Sequence, residues 1–284
     1  MSKQHILVTG ASGYIGRHLV TALLDHGAQV TAVVRRQRAY LIDDRATIVE
    51  ADVLADALDL SGLSTTVPDA VVHLAWQDGF RHDAPSHIRN LSAHFRFLER
   101  VSHWGVNRIT VLGTMHEVGY WEGPIDALTP TNPRSLYGIA KDALRRSVFI
   151  AIAPQTTVQW LRCFYIYGDD ANNQSIFTKL LDADSRGEST LPFTTGKNLY
   201  DFIEVDELGQ QIATVALRAD VSGIINCCSG VPVSLADKVE RFIQDKGLSI
   251  RLGYGAFPDR AYDSPGVWGD ASRIQEIMAE GVPR

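Results

Sequence analysis

An apolar run, three glycines and a helix-patterned stretch follow one another between Ile6 and Val20, and few folds accept that order. Gly10 lets the chain turn sharply out of a strand, Gly13 removes a side chain where an anion must approach, and Gly16 lets the helix pack close to the strand. The helix, read as Tyr14 to His26, would then turn its positive end and free N–H groups toward that anion. Ser12, Gly13, Tyr14 and Ile15 are therefore read, with Gly10, as the pyrophosphate cradle of a dinucleotide. A second strand, Gln29–Val34, completes a βαβ unit.

The residues just past that second strand bear on the choice of dinucleotide. A site for NAD usually carries a carboxylate about twenty residues past the glycines, bonded to the ribose hydroxyls. Here Arg35 and Arg36 stand at that point with no acid beside them. A guanidinium binds a 2′-phosphate through two charge-assisted hydrogen bonds, where a carboxylate would repel it. The sequence therefore points to NADP(H).

A formal net charge of −6 and the lack of a basic stripe argue against a nucleic-acid partner. No apolar run is long enough for a membrane span, and no signal segment precedes the first strand. Cys163, Cys227 and Cys228 lack metal-ligand spacing and read as buried reduced thiols, so a cytoplasmic location is expected and no metal.

Strand and helix patterns alternate through the first two-thirds of the chain. Further strands are read at 47–52, 70–75, 108–114, 158–165 and 223–228, with long helices near 86–104 and 135–153. The expected class is α/β: a doubly wound parallel Rossmann sheet over residues 1–167, rejoined by a strand near 223–229. A smaller, interleaved substrate-binding region, polar and loop-rich at its start, is expected over 168–222 and 230–284.

Tyr137 and Lys141 lie four residues apart near the start of a helix, and so on one face. A phenol beside an ammonium can carry out proton transfer. Moving a tyrosine from about 10 to about 7 requires roughly 4 kcal/mol, which a unit charge about 4 Å away in an intermediate dielectric supplies. Thr114, at the end of the fifth strand, can hydrogen-bond the oxygen that Tyr137 protonates.

Taken together, these segments resemble the extended short-chain dehydrogenase/reductases, the NAD(P)-dependent epimerase/dehydratase family that acts largely on nucleotide sugars. The likeness rests on Thr9–Gly16, His73–Ala75, Gly113–Gly119, Tyr137–Lys141, Leu161–Gly168, Asp201–Asp206 and Asn226–Gly230, and spans nearly the whole chain. It implies Tyr137 as general acid/base, Lys141 as the group that lowers its pKa and bonds the nicotinamide ribose, and Thr114 as the orienting hydroxyl. It further implies that Asp52 and Val53 contact adenine, that Leu74 and Ala75 flank the cofactor, and that Asn90 supports the active-site backbone. Relatives often dimerise through the helices after the fourth and fifth strands, so a homodimer is the family expectation.

Departures from the pattern narrow the reaction. Dehydratases of the family follow the threonine with an Asp-Glu pair, whereas Met115 and His116 stand here. Dehydration is therefore set aside, and Met115 and His116 are read as substrate contacts. Tyr200 occupies the place of an arginine that usually grips the nucleotide diphosphate, which turns attention to Arg260 or Arg251 as a substitute. Trp76, Trp121 and Tyr165 are candidates to line a sugar pocket. The resulting expectation is NADPH-dependent reduction of a 4-keto group on a nucleotide-linked 6-deoxy sugar. A nucleotide-sugar 4-epimerase, a reductase of a ketone or aldehyde without a nucleotide, and a non-catalytic nicotinamide sensor are the alternatives.

Overall fold

A computed structural model describes residues 3–35, 42–168, 175–258 and 264–283. In chain order the first half comprises β1 (His5–Thr9), α1 (Tyr14–Asp25), β2 (Gln29–Val34), β3 (Thr47–Glu50), β4 (Ala70–His73), α2 (Ser86–His103), β5 (Arg108–Thr114), β6 (Gly123–Ile125) and α3 (Leu136–Ala151). The second half begins with β7 (Thr157–Cys163), β8 (Tyr165–Tyr167), α4 (Ile176–Ser185), β9 (Thr190–Pro192), β10 (Leu199–Glu204) and α5 (Val205–Leu217). It ends with β11 (Gly223–Cys227), β12 (Pro232–Ser234), α6 (Leu235–Lys246), β13 (Arg251–Gly253), β14 (Gly266–Gly269) and α7 (Ser272–Glu280).

The expected doubly wound sheet is present. Seven parallel strands run in the order β11-β7-β5-β4-β1-β2-β3, with β1 between β4 and β2. The chain reverses its direction of winding there, and open α/β sheets bind ligands beyond the strand ends at that point. Alternation along the central strands separates two cores. Ile6, Val8, Ala70 and Val72 face one, with Leu19 and Leu23 of α1 and Leu208 and Ile212 of α5. Leu7 and Val71 face the other, with Phe97 and Leu98 of α2 and Leu144 and Val148 of α3. Each such buried aliphatic or aromatic side chain contributes about 1.5–3 kcal/mol.

Among the differences from the sequence reading, three have a local reason. β3 stops at Glu50 because the Asp52 carboxylate accepts the Leu54 N–H, turning the chain. The run read as one strand over 158–165 divides at Phe164: β7 stays in the main sheet while β8 pairs with β10. In the stretch read as loop-rich, Ser175 caps α4, whose Phe177, Leu180 and Ala183 enter a third apolar cluster with Val239 and Phe242 of α6. Ten residues between polar flanks gave too short a periodic signal for that helix to stand out.

A second sheet, β12-β10-β14-β6, sits on Asp201, which is fully buried. Its carboxylate accepts the Ser229 N–H and hydroxyl, the Gly230 N–H and the Gly269 N–H. One acid thus ties β10 to the loop after β11 and to β14. Asp201→Asn replaces acceptor oxygen with an N–H₂ facing backbone donors, and should cost about 2–4 kcal/mol in urea unfolding. A loss under about 0.5 kcal/mol would remove Asp201 from this role.

Candidate active site

The cleft begins where two turns touch. Gly10 has φ +70°, and a Cβ there would lie 2.6 Å from the Ala75 nitrogen. At Gly16 a Cβ would fall 2.3 Å from the Gly10 carbonyl oxygen. Gly13 is different: a Cβ would meet only that oxygen, at 3.1 Å, so space remains in front of it. Gly13 is also the N-cap of α1 and supplies no side-chain acceptor, and the first turn holds no acid. The leading N–H groups of a twelve-residue helix are thus left without a side-chain cap beside open space, a fit for the pyrophosphate of a dinucleotide. Ser12, Tyr14 and Ile15 are half-buried around it, and the Tyr14 hydroxyl donates to the Gly168 carbonyl beyond β8.

The other expected cofactor residues spread along the strand ends. Leu74 is buried and Ala75 abuts Gly10. Arg35 lies exposed just past β2, and Asp52 is exposed past β3 while Val53 turns into the second core. Arg36 and Arg260 lie outside the described residues. Among the described residues, no group of three or more His, Cys, Asp or Glu side chains could hold a metal ion.

Thr114, Tyr137 and Lys141 come together across β5 and α3. Ser135 caps α3 through the Gly138 N–H, and a Cβ on Gly138 would lie 2.4 Å from the His116 carbonyl oxygen. That close approach sets the first turn of α3 on the turn after β5. Thr114 Oγ1 accepts the His116 N–H, and the Tyr137 phenol is packed near enough for Thr114 to influence its proton. Burial pushes that phenol up from its ordinary value, and the neighbouring Thr114 offsets part of the rise. Lys141 is 2 % exposed; its Nζ donates to the Leu112 carbonyl at 2.7 Å and lies 6.0 Å from the Tyr137 ring centroid.

Beneath Thr114 lies Glu117, an acid the sequence reading did not single out. It is fully buried and closes a capping box: one carboxylate oxygen accepts the Thr114 N–H at 2.8 Å and the Trp160 indole N–H at 2.9 Å. The other lies 3.5 Å from both Arg145 and Arg162. A Cβ on Gly113 would strike the Trp160 nitrogen at 2.1 Å, so this bond requires the glycine. Burial pushes Glu117 up, against Arg162, which pulls it down. Its signal was present as Thr-x-x-Glu, the spacing of a capping box.

Histidines make the rest of the wall. His82 arrives on the loop after β4, shaped by Asp78 at φ 59°, whose carboxylate accepts from Arg81 and Ser86. The His82 carbonyl accepts the Tyr137 N–H, its ring stacks at 5.3 Å from the Tyr137 ring, and His116 lies 4.3 Å from it. Burial pushes His116 down to about 3, so it is a neutral contact rather than a cation. A cavity of about 730 Å³ opens against the same loop, lined in part by His82, Arg81 and Arg89. Met115 is buried in the first core instead of facing the site, because the turn after β5 rotates its apolar side chain inward. Asn90 donates to Gln77 Oε1, not to active-site backbone. Trp121 donates to the Pro124 carbonyl, and Tyr165 packs on Tyr200 at 4.4 Å.

A model of the NAD dependent epimerase/dehydratase family matches residues 6–228. The chain belongs to this family. It is 43% identical over 268 residues to dTDP-6-deoxy-L-talose 4-dehydrogenase (NAD(+)) of Aggregatibacter actinomycetemcomitans, covering 93% of this chain and 99% of that one. Among solved structures, MoeE5 in complex with UDP-glucose and NAD superimposes with a TM-score of 0.81 at 28% identity, covering 99% and 93% of the two chains. A UDP-N-acetylglucosamine 4-epimerase from Methanobrevibacter ruminantium M1 shares the fold, with a TM-score of 0.83 at 22% identity and coverage of 98% and 92%. Membership makes this chain an NAD-type oxidoreductase or epimerase. No helix among the described residues is long and apolar enough to cross a membrane.

Lys141 gives the site a pH signature. Burial pushes it down from 10.5 to about 7. Between those values the unfolded chain holds a proton that the folded protein has lost, so stability rises as pH increases from about 7 toward 10. Lys141→Met should remove that rise in urea unfolding measured across the window. An identical slope in both proteins would place the titration elsewhere.

Proposed function

We propose that the protein interconverts a ketone and a secondary alcohol at C4 of a nucleotide-linked 6-deoxyhexose, working as a ketoreductase with Tyr137 as proton donor. The observation that carries this is the meeting of Thr114, Tyr137 and Lys141 at the ligand-binding end of the sheet. The relative at 43% identity, named for oxidising a dTDP-linked 6-deoxy sugar at C4, supports the substrate class. The same residues serve either direction, since a group that donates a proton in reduction accepts it in oxidation.

A nicotinamide dinucleotide, when bound, would supply hydride-transfer chemistry. Gly10, Ser12, Gly13, Tyr14 and Ile15 would hold its pyrophosphate, with Leu74 and Ala75 against its body. Thr114 orients the carbonyl oxygen, Tyr137 delivers the proton, and Lys141 keeps positive charge beside the developing alkoxide. His82 and His116 enclose the phenol and exclude water. The buried Glu117 is held by Thr114 N–H, Trp160 and two arginines, so it offers no free carboxylate for elimination.

For the cofactor, exposed Arg35, with no acid beside it in the sequence, supports NADP(H). The name of the 43% relative supports NAD(H) as a second reading. C4 epimerisation with retained NAD is the corresponding second chemistry; the epimerisation is supported by relatives such as the 25% identical UDP-glucose 4-epimerase of Corynebacterium glutamicum.

Purified protein with NADPH or NADH and a dTDP-4-keto-6-deoxyhexose should show stoichiometric loss of nicotinamide absorbance and a new secondary alcohol. Interconversion of hydroxyl sugars without cofactor loss would replace reduction with epimerisation. Tyr137→Phe should lower turnover about 10²–10⁴-fold while cofactor affinity is kept. Arg35→Asp should weaken NADPH at least about tenfold more than NADH, as expected when a charge-assisted bidentate contact is lost. Equal losses would favour NAD(H).

A further inference from the structure

Lys141 is almost fully buried, yet its ammonium has three N–H donors to satisfy. One goes to the Leu112 carbonyl at 2.7 Å. A second partner is the Trp76 ring, whose centroid lies 3.8 Å from Nζ. No second protein hydrogen bond to Nζ is found among the described residues, which leaves a donor for a ligand.

Trp76 is itself held firmly. Its indole N–H donates to His87 Nδ1 at 3.0 Å. An indole nitrogen only donates, so His87 Nδ1 carries no proton and its Nε2–H donates to the Arg81 carbonyl at 2.9 Å. His94 stacks on the indole at 4.3 Å and 14°, and is hydrogen-bonded through His73 to Thr9, the residue before Gly10. Burial, with Lys141 adding repulsion, pushes His94 down to about 3, so the ring behind the indole is neutral. The Trp76 ring also meets Tyr137 edge-on at 6.1 Å.

We propose that Trp76 is a positioning residue that acts through Lys141. The face of its indole is the second partner of the buried ammonium, keeps it protonated, and directs its remaining donor toward the cofactor ribose and the Tyr137 side of the cleft. This rests on the catalytic assignment of Lys141 above. A bland sugar-pocket wall would need the indole free for substrate, whereas here it is engaged by Lys141, His94 and His87. Aromatic faces attract cations most strongly where water is excluded. The other titratable groups facing Lys141 are Tyr137 on its own helix, Glu117 after β5, Cys163 on β7, His73 on β4 and His94 on α2.

The test compares Trp76→Phe, which keeps a π face, with Trp76→Leu, which keeps apolar bulk and excludes water without one. Trp76→Met provides a second non-aromatic replacement should the leucine variant fold poorly. In protein carrying ¹³C-labelled lysine, the Lys141 signal, assigned by its loss in Lys141→Arg, is followed through a pH titration. The non-aromatic variants should titrate about one pH unit below the wild type, and Trp76→Phe within about 0.3 of it. The basic limb of the kcat profile for ketone reduction should move by the same amount. Equal Lys141 midpoints in all variants, with only a rise in KM, would overturn the proposal and return Trp76 to a pocket wall. The titration needs no substrate, so it stands even if the nucleotide-sugar reading fails.

Discussion

Backbone meets backbone where the turn after β1 touches the turn after β4, and the functional architecture is built outward from that contact. Neither Gly10 nor Gly16 can carry a side chain without driving it into main-chain atoms that cannot move aside. The contact draws the ends of adjacent parallel strands into one crevice and points the uncapped start of α1 into it. β5 is the next strand along, so Thr114 falls at the same rim, and α3 brings Tyr137 and Lys141 against it. A shift at this one turn would separate the cradle from the chemistry.

Beyond that rim, the site is organised by buried polar groups that each need partners. Low dielectric makes an unpaired charge expensive and a paired one directional. Glu117 answers this by accepting from Thr114 and Trp160 and lying near two arginines, which fixes Thr114 from below. Lys141 answers it with a carbonyl and an indole face. The result is a phenol and an ammonium held by different supports, with His82 stacked on one and Trp76 packed on the other. Such supports suit a reaction that moves one proton and one hydride and needs no strong free acid.

Several readings were legible because they depend on local rules. The glycine spacing, the alternating apolar strands and the Tyr-x-x-x-Lys face arise from backbone sterics and from the two side-chain periods. The Thr114–Glu117 capping box was equally local, though its importance came from Trp160 and Arg162 on another strand. Met115 shows the opposite case: beside Thr114 in sequence, it turns into the core. His82 lay beyond any local rule, since its place over Tyr137 depends on the path of the loop that Asp78 shapes.

By itself the sequence determined the class of fold and the family, and it singled out Thr114, Tyr137 and Lys141, because short-range spacing decides which groups share a strand end or a helix face. Only the tertiary structure decided what surrounds them. The histidine wall, the Trp76 contact on Lys141 and the four donors gathered on Asp201 join elements far apart in the chain. Packing brings such groups together, and burial then sets which of them carry charge.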